Sequence, residues 1–218
     1  MTDERIAEIV AGLLAYAKAL PSGSTTTIAR LIEETFGHSV LQEAEGDLFE
    51  IYGEFIDCVD EEGLRLDNHE SANNFVGLPY NIPFTILKRA DKEFLQTVNL
   101  AQSMISFCFE IGGYFQGEKS LAFYHDNGWH KQAIETDLLE REESVLTACE
   151  ADIDKVSSAV DACGAFAWEP EYYEPVLDGT QWKLEMYFKE GLFFASEGSN
   201  AYPPSFDQFE QLIMQLWD

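Results

Sequence analysis

Four histidines, His38, His69, His125 and His130, are the first candidates in this chain for acid-base or metal chemistry. None forms a His-x-x-x-His pair or stands beside a cysteine cluster. His69-Glu70 opens like a zinc-protease helix, but Asn73 stands where the second histidine would be. His125, Asp126 and His130, around Gly128-Trp129, would share an ion only if their hairpin folded back, and an exposed polar turn accounts for the same residues. The cysteines, Cys58, Cys108, Cys149 and Cys163, make no Cys-x-x-Cys pair and sit in apolar segments, where a thiol behaves as a small core residue. Unpaired thiols of this kind point to a reducing, cytoplasmic compartment.

Carboxylates are so abundant that pairs such as Glu142 and Glu143, or Asp152 and Asp154, say little about catalysis, which needs one carboxylate made unusual by burial. The chain has no Asp-x-Asp-x-Asp-Gly loop for calcium and no Gly-x-x-x-x-Gly-Lys loop for phosphate. It also lacks the Gly-x-Ser-x-Gly elbow of a nucleophilic serine. No catalytic residue, metal or cofactor is therefore expected.

Two groupings are candidate binding residues. Ser199, Asn200 and Tyr202 are polar groups between a strand and a helix, beside Gly198, which is free to take a positive φ; a structural turn in which Asn200 bonds its own backbone is the alternative. Trp168, Tyr172, Tyr173 and Trp182 crowd one stretch, either as an exposed aromatic face or as core.

Charge narrows the classes further. The chain has 13 Lys and Arg against 40 Asp and Glu, a formal charge of −27. The excess is spread along the chain: residues 1–90 carry 6 basic and 16 acidic side chains and residues 91–218 carry 7 and 24. Such a field repels phosphate backbones and acidic membrane surfaces, because affinity for DNA comes chiefly from Lys and Arg displacing counterions. The charge serves either solubility or a surface that docks a basic partner or imitates DNA.

The elements that would position these residues are legible as periodicities. Ile6, Ile9, Val10, Leu13, Leu14, Ala17 and Leu20 mark one face of a helix over 3–20, ended by Pro21-Ser22-Gly23. Ser24 and Thr25 to Thr27 offer caps to a second helix with Ile28, Leu31, Ile32 and Phe36 inside. A third helix is written by Leu41, Ala44, Leu48, Ile51, Tyr52, Phe55, Ile56 and Val59, stopped at Gly63. Extended runs follow at 64–67 and 84–87. Three helices and then a two-stranded ribbon is the order of a winged helix. In a DNA-binding winged helix the third helix reads the groove with basic or amide side chains, but here its outer face is Glu43, Asp47, Glu50, Glu54 and Asp57, the wrong sign for nucleic acid.

The segment Gly77-Leu78-Pro79-Tyr80-Asn81-Ile82-Pro83-Phe84, preceded by Gly63-Leu64-Arg65-Leu66-Asp67, resembles a pattern in small uncharacterised bacterial proteins that look like winged helices. The resemblance covers about residues 1–90 and implies a fold without an activity.

After a junction at 88–97, Ile105, Phe107, Phe109 and Ile111 alternate with polar residues, which predicts a strand ended by Gly112-Gly113. Residues 120–124 and 128–134 read as partners. Cys149, Ile153, Val156, Val160 and Cys163 predict a helix stopped by Gly164. Residues 166–173 read as extended. Asp178-Gly179 is a turn, after which Trp182, Leu184, Met186 and Phe188 alternate and the chain returns over 192–196 in an antiparallel meander. A last helix opens at Ser205 with Gln208 at capping-box spacing. Asp178-Gly179-Thr180-Gln181-Trp182 with Ser196-Glu197-Gly198-Ser199-Asn200-Ala201-Tyr202-Pro203 is similar to a second pattern of uncharacterised bacterial proteins, which implies no chemistry.

These readings predict an α+β protein: an N-terminal three-helix winged-helix-like domain over 1–90, then an antiparallel β-sheet domain with two covering helices over 97–218. The expected function is a non-enzymatic, acidic protein-binding or regulatory module of the bacterial cytoplasm, in a narrower version an immunity-type inhibitor of a basic toxin or nuclease. Its expected partner is a basic protein, with no nucleic acid and no membrane. The alternatives are a small-molecule enzyme or binding site near Asn200 and Tyr202, or a transcription regulator in which Arg30, Lys88 and Arg89 converge on one basic patch.

Overall fold

The computed structural model describes residues 1–67, 83–113, 117–136, 141–176 and 179–217, and for 141–147 the backbone alone. His69, Asn73, Asn74, residues 77–82 of the first pattern and Asp178 of the second lie outside the described residues. The chain is α+β and divides into two compact units, Met1–Arg89 with Glu190–Leu192, and Ala90–Lys189 with Phe193–Asp218.

The first unit begins with α1 (Asp3–Ala19), whose Ile6, Ile9, Val10, Leu13 and Ala17 are buried as their three-and-four spacing requires. The three residues after the following turn form a strand, β1 (Ser24–Thr26), where the sequence reading placed only capping hydroxyls. β-branched threonines suit a pleated surface, and β1 finds its partner about sixty positions on, which no local pattern displays. Thr27 alone is the cap: its Oγ1 accepts from the Arg30 N–H at 3.2 Å and opens α2 (Ile28–Phe36).

The expected third helix is two. α3 (His38–Ala44) and α4 (Leu48–Val59) are separated by a turn over Glu45, Gly46 and Asp47. Leu41, Ala44, Leu48 and Ile51 keep one helical phase across that turn, so periodicity hides the break; Gly46, a poor helix former, is its only local sign. β2 (Leu64–Asp67) and β3 (Phe84–Arg89) pair antiparallel, Leu66 opposite Ile86, and β1 takes the other edge of β3, Thr25 opposite Thr85. Leu13, Leu31, Ile51, Phe55 and Ile86 meet in one core cluster.

The second unit opens with two short helices, α5 (Lys92–Thr97) and α6 (Leu100–Ser103), capped by the side chains of Asp91 and Asn99. β4 (Met104–Gly113), β5 (Gly117–His125), β6 (Trp129–Thr136) and β7 (Arg141–Thr147) form successive antiparallel pairs, and β9 (Thr180–Phe188) joins the other side of β4. β10 (Leu192–Ser199) follows antiparallel to β9. The sheet is nonetheless mixed, because β8 (Glu171–Tyr173) lies parallel to β10. Residues 166–173 are thus not one extended run: Ala165–Ala167 is a single 3-10 turn and only the last three residues pair. A bulge near the start of β4 shifts the phase, so that Met104 takes a buried position and Ile105 does not.

Two longer helices belong to this unit, α7 (Glu150–Cys163) and α8 (Phe206–Met214). On one face of the sheet, Phe109 meets Phe206 and Phe209 of α8 at ring-centroid distances of 6.0 and 5.4 Å, and Trp182 meets Phe206 at 4.8 Å. Gly164 ends α7 at φ +58, where a side chain would be strained. The expected capping box at Ser205 is not made. Its hydroxyl donates to the Cys163 carbonyl at 2.6 Å and accepts from the Trp168 indole at 3.1 Å, which ties α8 to the end of α7.

Candidate functional site

Two surfaces gather the candidate residues, one in each unit. In the first unit, α4 turns Leu48, Ile51, Phe55 and Val59 inward, so residues a half-turn away must face solvent. Of the five acidic residues read from the sequence, two are engaged within the fold: Glu43 on α3 pairs with Arg5 at 3.4 Å, and Asp47 pairs with the terminal ammonium of Met1 at 2.8 Å. Asp47, its principal partner by hydrogen bond and charge, pushes that ammonium's pKa up. Glu50, Glu54 and Asp57 are exposed and make no ion pair among the described residues.

The adjoining flank of α4 carries apolar side chains that the sequence reading missed. Phe49 is 68% exposed and Ile56 37% exposed, whereas Ile56 was expected in the buried stripe. They stand seven positions apart with Gly53 between them, on the flank adjoining the acids. The available signal was Phe49 itself, a large apolar residue well off the phase of the buried row.

In the second unit, strand alternation sends Phe107, Phe109, Leu184 and Met186 to one buried face, where Phe109 meets α8, and their neighbours to the opposite face. That opposite face holds an open cleft of about 790 Å3, with Glu110, Gln181, Lys183, Glu197 and Ser199 on its sheet side and Glu171 and Tyr172 at its β8 edge. In register across the strands run Glu171, Glu197, Lys183 and Glu110. Lys183 leans along its own strand to Glu185, at 2.8 Å. Gln181 Nε2 donates to Ser199 Oγ at 2.8 Å. The Cys108 thiol, on the same face, is pushed up to about 12 by burial and then by the Glu110 carboxylate, so it is no nucleophile at neutral pH. A second cavity, of about 480 Å3, is lined by Tyr202, Asp207 and Glu210; burial, reinforced by Asp207, raises the Glu210 pKa.

The aromatic candidates divide. Trp168 and Trp182 are core, 8% and 2% exposed, packed edge to face at 5.7 Å. Tyr172 is half-buried, its hydroxyl accepting from the Glu169 N–H at 2.9 Å; Tyr173 is 67% exposed, and Tyr202 leans on Phe206 with its ring half in solvent. The residue with positive φ in the 196–202 segment is Asn200, at +57, and not Gly198. Asn200 acts as a turn residue: its N–H donates to the Thr180 carbonyl at 2.9 Å and its Nδ2 to that of Val176 at 3.4 Å. Gly198 is required for room, since a Cβ there would run into the Trp182 ring.

His130 Nε2 hydrogen-bonds the Asp126 carbonyl at 3.0 Å within the β5–β6 turn, and His125 packs against Trp129. Among the described residues no group of three or more His, Cys, Asp or Glu is placed to hold a metal ion. Of the cysteines, Cys163 is buried, Cys58 and Cys108 are half-buried and all are unpaired, but Cys149 is exposed at the start of α7 and not in the core. No helix among the described residues is long and apolar enough to cross a membrane. No protein-family model matches the chain, and no curated protein matches it.

Proposed function

We propose that this chain is a non-enzymatic protein-binding module of the bacterial cytoplasm, in which an acidic, winged-helix-like N-terminal domain contacts a basic protein. The element order of helix, strand, helices and ribbon supports the winged-helix reading, and α4 then stands where a groove-reading helix would. The observation that carries the function is the outward display of Glu50, Glu54 and Asp57 on that helix, without cationic partners among the described residues. A polyanion meets repulsion there, and a basic protein meets complementary charge that speeds encounter and fixes register. An inhibitor of a basic toxin or nuclease is the narrower form of the same reading. The unpaired thiols support a reducing compartment.

Affinity capture from bacterial lysate at low and physiological salt, with the wild-type chain and an E50Q/E54Q/D57N variant, tests it. A specific basic protein held by the wild type and released by the variant is expected; a partner held equally by both would count against the acidic face. A retarded band in a gel-shift assay with duplex DNA would favour the transcription-regulator alternative, through Arg30, Lys88 and Arg89.

A second reading, a small-ligand site, is favoured by the size of the cleft in the second unit, which lies within the range of ligand pockets. Its glutamates outnumber Lys183, which disfavours phosphorylated ligands. Melting shifts across a panel of polar metabolites, lost on Q181A, would support it, and a flat panel would remove it.

A further inference from the structure

Resting on the protein-binding reading, we infer that α4 presents a two-part docking surface: Phe49, Gly53 and Ile56 form a notch for one aliphatic or aromatic side chain of the basic partner, and Glu50, Glu54 and Asp57 pair with lysines or arginines beside it. Residues 49, 53 and 56 lie on successive turns of one flank. Phe49 is the most exposed large apolar side chain among the described residues. Between it and Ile56, position 53 carries no side chain, while Tyr52 on the inner side of the pair packs against the core.

Nothing among the described residues requires that gap. Gly53 lies in the interior of a 12-residue helix, its φ is not positive, and a Cβ added there meets, among the described residues, no atom within 4 Å beyond its chain neighbours and the backbone of its own helix. Glycine is a poor helix former, so an alanine would serve the isolated chain better. The missing side chain leaves room for an incoming one. Interfaces concentrate their energy in such apolar anchors ringed by polar groups.

The charge says what fills the notch. A second copy of this chain would bring its own Glu50, Glu54 and Asp57 and a net charge of −27 to the same contact, so self-docking is opposed by like-charge repulsion. A basic segment with an apolar anchor satisfies both halves of the surface.

The test titrates the full chain with a short labelled peptide that repeats leucine and lysine in helical spacing, and with a control in which serine replaces each leucine. The leucine peptide should bind the wild type, and F49A and G53L should each weaken it roughly tenfold or more. G53A should weaken it while raising the melting temperature, which separates lost binding from lost folding. The serine peptide should bind more weakly and ignore F49A. If F49A and G53L leave the leucine peptide unaffected while E50Q/E54Q/D57N weakens it, the notch is overturned and the acidic face survives. If no peptide binds even at low salt, both fall. A dimer in sedimentation that F49A dissolves would replace the basic partner with a second copy.

Discussion

Trp182 lies across Gly198, its partner in the β9–β10 register, and donates its indole N–H to the Ala201 carbonyl at 2.9 Å. The glycine makes space for the ring and the ring holds the chain as it leaves the sheet toward α8. This pairing links the second sequence pattern, in which both residues occur, to packing.

Gly198→Ala should therefore destabilise the protein by about 1–3 kcal/mol, the cost of forcing an extra methyl into a filled site. Urea unfolding measures it. A wild-type midpoint would show that the indole moves aside freely.

Asn200 is held in the left-handed region, so its substitutions should rank by backbone strain. Asn200→Ala should cost about 1–2 kcal/mol, and Asn200→Gly less, because glycine takes that φ without a Cβ clash. Equal losses in denaturant titrations would mean that the side-chain bond to Val176, and not the backbone, is what matters.

Asp152 makes a pH-dependent contribution at the start of α7. Burial alone would raise its carboxyl pKa, but hydrogen bonds from the Cys149 N–H and thiol, together with Lys155, outweigh burial and hold it below the ordinary 3.8. A carboxylate with a depressed folded-state pKa adds stability above its unfolded value and loses it as pH falls through the folded one. Asp152→Asn should then cost about 1 kcal/mol at neutral pH, a difference that shrinks below about pH 4. Thermal melts of both proteins across that range check it; a constant difference would point to lost geometry alone.

Added salt should raise the melting temperature. A charge of −27 repels itself within one folded chain, and screening relieves the repulsion over a distance of about 10 Å at 0.1 M salt. Calorimetry from low to physiological ionic strength measures the rise, and a flat response would mean that the acids are well separated or already paired.

Much of this architecture is legible one element at a time. The row Ile6, Ile9, Leu13 and the alternation Trp182, Leu184, Met186, Phe188 each declare a buried face, because each helix or strand must hide its own apolar side. The acids of α4 are legible for the same reason. Local order could not disclose β1, whose threonines pair with β3, or the parallel alignment of β8 with β10, since a strand exists only with a partner brought to it by the rest of the chain.

The candidate site divides along the same line. Composition and helical phase by themselves determined that this chain is strongly acidic and that Glu50, Glu54 and Asp57 share the outer face of a helix. Only tertiary structure decided that Trp168 and Trp182 are core, that Asp47 is taken by Met1, and that Phe49 and Ile56 are left uncovered. An apolar side chain is buried only if another element packs over it, and that depends on neighbours distant in the chain.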